Sequence, residues 1–95
     1  MPAHLIAIAR IKDPEKHQEY VTLSGPLIKA AGGELLAAGP VAETLVGTSD
    51  ASALAAIRFP DAQALQDWYD SDAYQALVPI RDAAAEMTFL TLAGD

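Results

Sequence analysis

The apolar residues of this chain recur with two periods, and the points where one gives way to the other predict the order β-α-β-β-α-β. Ala3–Lys12 (AHLIAIARIK) reads as a strand, with His4, Ile6, Ile8 and Arg10 at even positions and Ala3, Leu5, Ala7, Ala9 and Ile11 at odd ones. Both sets are largely apolar. A sheet with one wet face alternates apolar with polar, so this strand is expected to be covered on both sides. Asp13-Pro14-Glu15 then starts a helix: an acidic cap for free N–H groups, a proline at the first helical position, and a carboxylate at the positive end of the dipole. Tyr20, Ser24, Leu27, Ile28 and Ala31 fall on one face of it. Gly25-Pro26 predicts a kink near Thr22–Gly25, because Pro26 cannot donate to the carbonyl four residues back. Gly32-Gly33 ends the helix, one of the two taking the left-handed cap conformation.

Glu34–Ala38 and Val41–Val46 read as one strand broken at Gly39-Pro40, where the missing proline donor predicts a bulge or a sheet edge. Gly47–Ser52 is a polar turn, and Ala53–Phe59 is a strand apolar on both parities. Asp61 caps the second helix, with Leu65, Trp68 and Tyr69 on its inner face. Asp70-Ser71-Asp72 breaks that helix, Ser71 restarts it ahead of Tyr74, Leu77 and Val78, and Pro79 begins a last turn. Met87–Ala93 is the final strand, apolar on both parities once its threonine methyls pack.

This order predicts an α+β, ferredoxin-like fold: one four-stranded antiparallel sheet with the helices on one face. Three strands are apolar on both parities, so the other face is apolar too, and a bare apolar face of several hundred square ångströms is rare on a monomer. The simplest cover is a second copy, sheet against sheet about a two-fold axis, giving a dimeric α+β barrel. Ala7 and Ala9 let helices approach closely, so the odd positions of the first strand should face the helices. With the first and third strands central, His4 and Arg58 then share one end of the other face and Arg10 lies at its far end.

At 95 residues the chain makes a single domain spanning 1–95. A chain of this size buries only about 60–70% of its unfolded surface, so assembly adds useful stability. With no cysteine there is no disulfide frame and no thiolate nucleophile or ligand. The net charge of −7, with six scattered basic residues, argues against nucleic acid and anionic membrane surfaces. No apolar run reaches the roughly 20 residues a membrane helix needs. Leu5–Ala9 alternates like a strand rather than forming the apolar core of a signal peptide, so a cytoplasmic location is expected.

The stretch Phe59–Arg81 holds the only Trp and two of the three Tyr. Tyr20 after the Asp13-Pro14 cap, Gly32-Gly33, Glu43, Phe59-Pro60, and Tyr69-x-Ser71-x-x-Tyr74-Gln75-x-Leu77-x-Pro79-x-Arg81 resemble the bacterial family called domain of unknown function 1330. The resemblance runs along nearly the whole chain, and its most specific part is Phe59 to Arg81. It implies membership of the dimeric α+β barrel superfamily. That superfamily includes cofactor-independent monooxygenases, small-ring isomerases, haem-degrading enzymes and stress-response proteins, with active sites between sheet and helices or within the barrel. Val46 and Arg58 depart from the pattern, standing where acidic residues are common.

Six residues are candidates for a ligand-binding wall: Tyr20, Trp68, Tyr69, Ser71, Tyr74 and Arg81. Tyrosine hydroxyls facing a pocket can orient a substrate oxygen; the alternative is an amphipathic core residue with its hydroxyl at the rim. Ser71 can donate to a ligand at a helix start, or simply cap that helix. Arg81 can hold an anion, or pair internally with Asp13 or Asp72. Trp68 reads as a core anchor ahead of a stacking platform. His4 and His17, without cysteine or a Glu-x-x-His helix, make no metal site. No catalytic residue can be assigned, and no cofactor motif is present.

Two functions follow. One is an enzyme or binder of a small anionic, aromatic or carbonyl compound, working by proton transfer or cofactor-free oxygenation. The other is a non-catalytic dimeric module of stress response or ligand sensing. A cavity between helix and sheet with converging polar groups favours the first. A filled interior with every such group paired internally favours the second.

Overall fold

The computed structural model describes residues 1–93. Its elements are β1 (Ala3–Ile11), α1 (Pro14–Ala30), β2 (Glu34–Pro40), β3 (Ala53–Phe59), α2 (Ala62–Asp70), α3 (Asp72–Gln75), α4 (Val78–Ala84) and β4 (Ala85–Ala93). The strands form one antiparallel sheet in the order β2-β3-β1-β4. This is the ferredoxin-like α+β fold that the periodicity predicts.

Directly paired residues share a face of the sheet. Leu5 pairs with Ile57 and Thr91, and Ala7 with Ala55 and Phe89, so the odd positions of β1, β3 and β4 point together. They bury against the helices: Ala3, Leu5, Ile57 and Phe59 form one core cluster with Tyr20, Leu65, Trp68 and Tyr74. The even positions make the opposite face. His4 lies opposite Arg58 at one end of it and Arg10 lies at the other, as the strand order requires. There Arg10 pairs with Asp50 and Glu86. Leu54, Leu90 and Leu92 remain exposed on that face.

The helix boundaries follow their caps. Asp13 Oδ1 accepts from the N–H groups of Glu15 and Lys16, and Asp61 Oδ1 from that of Ala64. Ser71 Oγ accepts from Tyr74 N–H at 3.1 Å and donates to the Trp68 carbonyl at 2.7 Å, closing one helix and opening the next. Gly32 takes the left-handed conformation at φ +84°, and a Cβ there would lie 3.0 Å from Pro60 Cγ. α1 continues as helix through Gly25-Pro26 to Ala30.

The second half of the predicted second strand is a correction. β2 stops at Pro40, and Val41–Val46 forms no strand. A strand needs a partner, and β3 begins at Ala53, opposite Pro40. One more bond follows, from Val41 N–H to the Ser52 carbonyl at 3.0 Å, while Ser52 itself donates to the Ala9 carbonyl at 2.7 Å; after that, among the described residues, the chain has no strand to pair with. Of the two alternatives at Gly39-Pro40, the sheet edge is what forms, since β2 is an outermost strand; the register shift lies elsewhere, between Leu35 and Ala37, and Gly39 and Pro40 pair regularly with Leu54 and Ala53.

Candidate functional site

α1 crosses the sheet without filling the space above β2 and β3. A cleft of about 760 Å³ opens between α1 and the helix-side surface of β1, β2 and β3. His17, Tyr20, Ser24 and Ile28 recur at helical spacing along α1 and form one wall. Small sheet residues, Ala7, Ala9, Ala38 and Ala55, make the floor. Trp68 from α2 and Met87 and Phe89 from β4 also line it. Gly25 also lines the cleft, and a Cβ added there would meet nothing within 4 Å.

The cleft is apolar with a few polar groups, the usual make-up of a small-molecule site. Among the described residues, the buried side-chain polar atoms without a partner are His17 Nδ1 and Trp68 Nε1, and both residues line this cleft. Native interiors rarely leave such atoms unpaired, so each marks a position where a ligand atom or water would fit.

Tyr20 brings a third polar group. Its hydroxyl lies 2.8 Å from that of Tyr74. Tyr74, with no exposed surface, also accepts from Arg81 Nη1 at 3.1 Å. Burial, and then the bond to Tyr74, push the Tyr20 hydroxyl well above its ordinary range, while the nearby Arg81 charge and Ser24 work the other way. Tyr20 is therefore a donor at neutral pH and not a base. Burial works against the Arg81 charge, but the Tyr74 hydroxyl, Tyr69 and Asp82 outweigh it and hold the guanidinium protonated. Arg81 sits over the rings of Tyr74 and Phe89, 6.0 and 5.6 Å from their centroids.

The six predicted wall residues divide into three groups. Tyr20 and Trp68 line the cleft. Tyr69 and Arg81 line a separate pocket of about 240 Å³ that shares Met87 and Phe89 with it. Tyr74 lies between, enclosed in the core, and Ser71 is occupied by backbone at both ends of its hydroxyl. The acidic partner of Arg81 is its neighbour Asp82, at 3.4 Å, and not Asp13 or Asp72; those two sit at helix starts, where Asp13 is engaged as a cap. His17 and Ser24 are the site residues that single-residue reading undervalued. The signal for them was the helical spacing from His17 through Tyr20 to Ser24.

The sheet order, the helix caps and the cleft define a ferredoxin-like α+β protein with an apolar site under its first helix. The family model described as "Domain of unknown function (DUF1330)" matches residues 2–95, and the chain belongs to that family. No curated protein matches its sequence. A protein of unknown function from Rhodopseudomonas palustris has the same fold, with a TM-score of 0.81, 21% identity, and coverage of 99% of this chain and 82% of that one. A dimeric ferredoxin-like protein of unknown function from Jannaschia sp. CCS1 superposes with a TM-score of 0.81 at 12% identity, covering 99% and 100%. SnoaB, a cofactor-independent oxygenase from Streptomyces nogalater, superposes with a TM-score of 0.74 at 8% identity, covering 99% and 93%. At these identities the likeness is one of fold.

Proposed function

We propose that this protein binds a small aromatic or carbonyl compound in the cleft beneath α1 and acts on it without a resident cofactor. The observation that carries the reading is the pair of orphaned buried atoms, His17 Nδ1 and Trp68 Nε1, in residues that line one apolar cleft with Tyr20. Trp68 Nε1–H and the Tyr20 hydroxyl are donors suited to a ligand oxygen. His17 Nδ1, when unprotonated, is the acceptor available for a proton removed beside that oxygen. The oxygenase activity of SnoaB, on the same fold, is compatible with chemistry of this kind.

The working unit of this proposal is a homodimer. Ile6, Ile8, Leu54, Leu90 and Leu92 share the sheet face away from the helices, and a second copy would cover them. The neighbour from Jannaschia is described as dimeric.

Trp68 is the only tryptophan, so its fluorescence reports occupation of the cleft. Titration with naphthalene and acetophenone should give saturable quenching that weakens when Tyr20 and His17 are replaced by Phe. Absence of saturable quenching, together with no retained small molecule in native mass spectra of protein from its own host, would overturn the reading. A non-catalytic module would then be favoured, as the internal pairing of Ser71, Tyr74 and Arg81 allows.

A further inference from the structure

Arg81 lies outside the main cleft, yet its side chain is only 16% exposed, and among the described residues its acidic partner is a weakly placed Asp82. A guanidinium has five N–H donors and no acceptor. In the bond between Arg81 Nη1 and the Tyr74 hydroxyl, Arg81 must therefore donate. Tyr74 has one proton, no exposed surface and one other partner, the Tyr20 hydroxyl. Were Tyr20 to donate to Tyr74, the Tyr74 proton would be buried without an acceptor, which costs more than making the bond gains. The chain of donors thus runs Arg81 to Tyr74 to Tyr20, and the Tyr20 proton is left to point onward. Tyr20 lines the cleft, as does Ser24, whose hydroxyl is close enough to influence it.

We propose that Arg81 is a positioning residue which, through Tyr74, turns the Tyr20 proton toward the cleft and makes the cleft prefer ligands with an anionic oxygen, an enolate or phenolate, over their neutral forms. This deepens the proposed function and rests on the cleft being a ligand site. The physical basis is cooperative polarisation: a charged donor at the head of a buried chain strengthens each later donor, and a charge-assisted bond is shorter and stronger than a neutral one. The groups around the relay are Tyr69 and Asp82 at Arg81, and Ser24 and His17 beside Tyr20 on α1; Lys29 and Glu34 line the same cleft. The relay joins Arg81 to the cleft through hydrogen bonds, whereas Phe89, which Arg81 also touches and which lines the cleft, has no polar atom to pass a donor on.

The test uses 4-nitrophenol, which ionises near neutrality and changes colour when it does, with naphthalene as the neutral control. The wild-type protein should bind the phenolate more tightly than the phenol, read as a rise in the phenolate band when protein is added at fixed pH. Arg81→Met should lower the phenolate-to-phenol preference by about tenfold, one pKa unit of the bound probe. Tyr74→Phe should lower it equally, and the double variant should lose no more than either alone, because both break one chain. Arg81→Lys should restore part of the preference. His17→Gln should leave the effect of Arg81→Met in place. A merely structural Arg81 would change stability and naphthalene binding without moving the ratio, and that result overturns the relay. Full, additive losses would also overturn it, by showing that Arg81 acts as a free charge. If naphthalene does not bind the wild-type protein at all, the cleft reading itself fails and this inference falls with it.

Discussion

Tyr74 has no exposed surface and spends its hydroxyl on two partners, Tyr20 and Arg81. Tyr74→Phe keeps the ring contacts with Trp68 but strands a buried hydroxyl and a mostly buried guanidinium. The expected cost is about 1–3 kcal/mol in urea unfolding, the penalty for unsatisfied buried groups. Phe59→Ala, at an equally enclosed position, should cost more, about 3–5 kcal/mol, because it leaves a cavity. Tyr20 gives a prediction in pH. Its hydroxyl ionises at about 10.0 in the unfolded chain and higher in the folded one. Above pH 10.0 the unfolded chain releases a proton that the folded chain keeps, so this contribution to stability is whole below that pH and declines as the pH rises past it. Tyr20→Phe should flatten the alkaline limb of a stability–pH curve measured by denaturant unfolding.

Elements are set by their ends. Ser71 joins α2 to α3 through its hydroxyl, and Ser71→Ala should lower stability by about 1 kcal/mol, the usual worth of a cap, while leaving naphthalene titration of the cleft unchanged. Gly32→Ala should cost about 1–2 kcal/mol from the left-handed backbone alone, with crowding against Pro60 added, and thermal melts of the two variants would rank them. These features were legible beforehand because each is a local signal: Asp13-Pro14, Gly32-Gly33, Asp61 and Ser71 need no distant partner to act. The strand parities of β1 and β3 were legible for a similar reason, since facing residues follow from alternation. Val41–Val46 misled because strand propensity describes a fit to a neighbour, and β3 is too short to supply one. The partner of Arg81 was misread because Asp13 and Asp72 lie at helix starts, while the space beside Arg81 is occupied by Tyr74 and Phe89. The cleft itself was visible only in part, since its floor comes from β1, β2 and β3 and its wall from α1, so most of its lining lies outside the aromatic stretch Phe59–Arg81.

At the scale of the whole molecule, one face of the sheet is packed and the other carries uncovered leucines. Leu90 lies beside Ile6 on that face, so Leu90→Glu places a charge where a second copy would sit. Sedimentation at micromolar concentration should show two copies for the wild-type protein and one for the variant, with a lower melting temperature for the latter. A single wild-type copy would remove the proposed dimer. Gly25 has a different consequence. It faces the cleft, and the space its missing side chain leaves is open. Under the proposed function that makes position 25 a gauge of ligand size. Gly25→Ala or Gly25→Leu would narrow the chamber by degrees while leaving Tyr20, Trp68 and His17 unaltered.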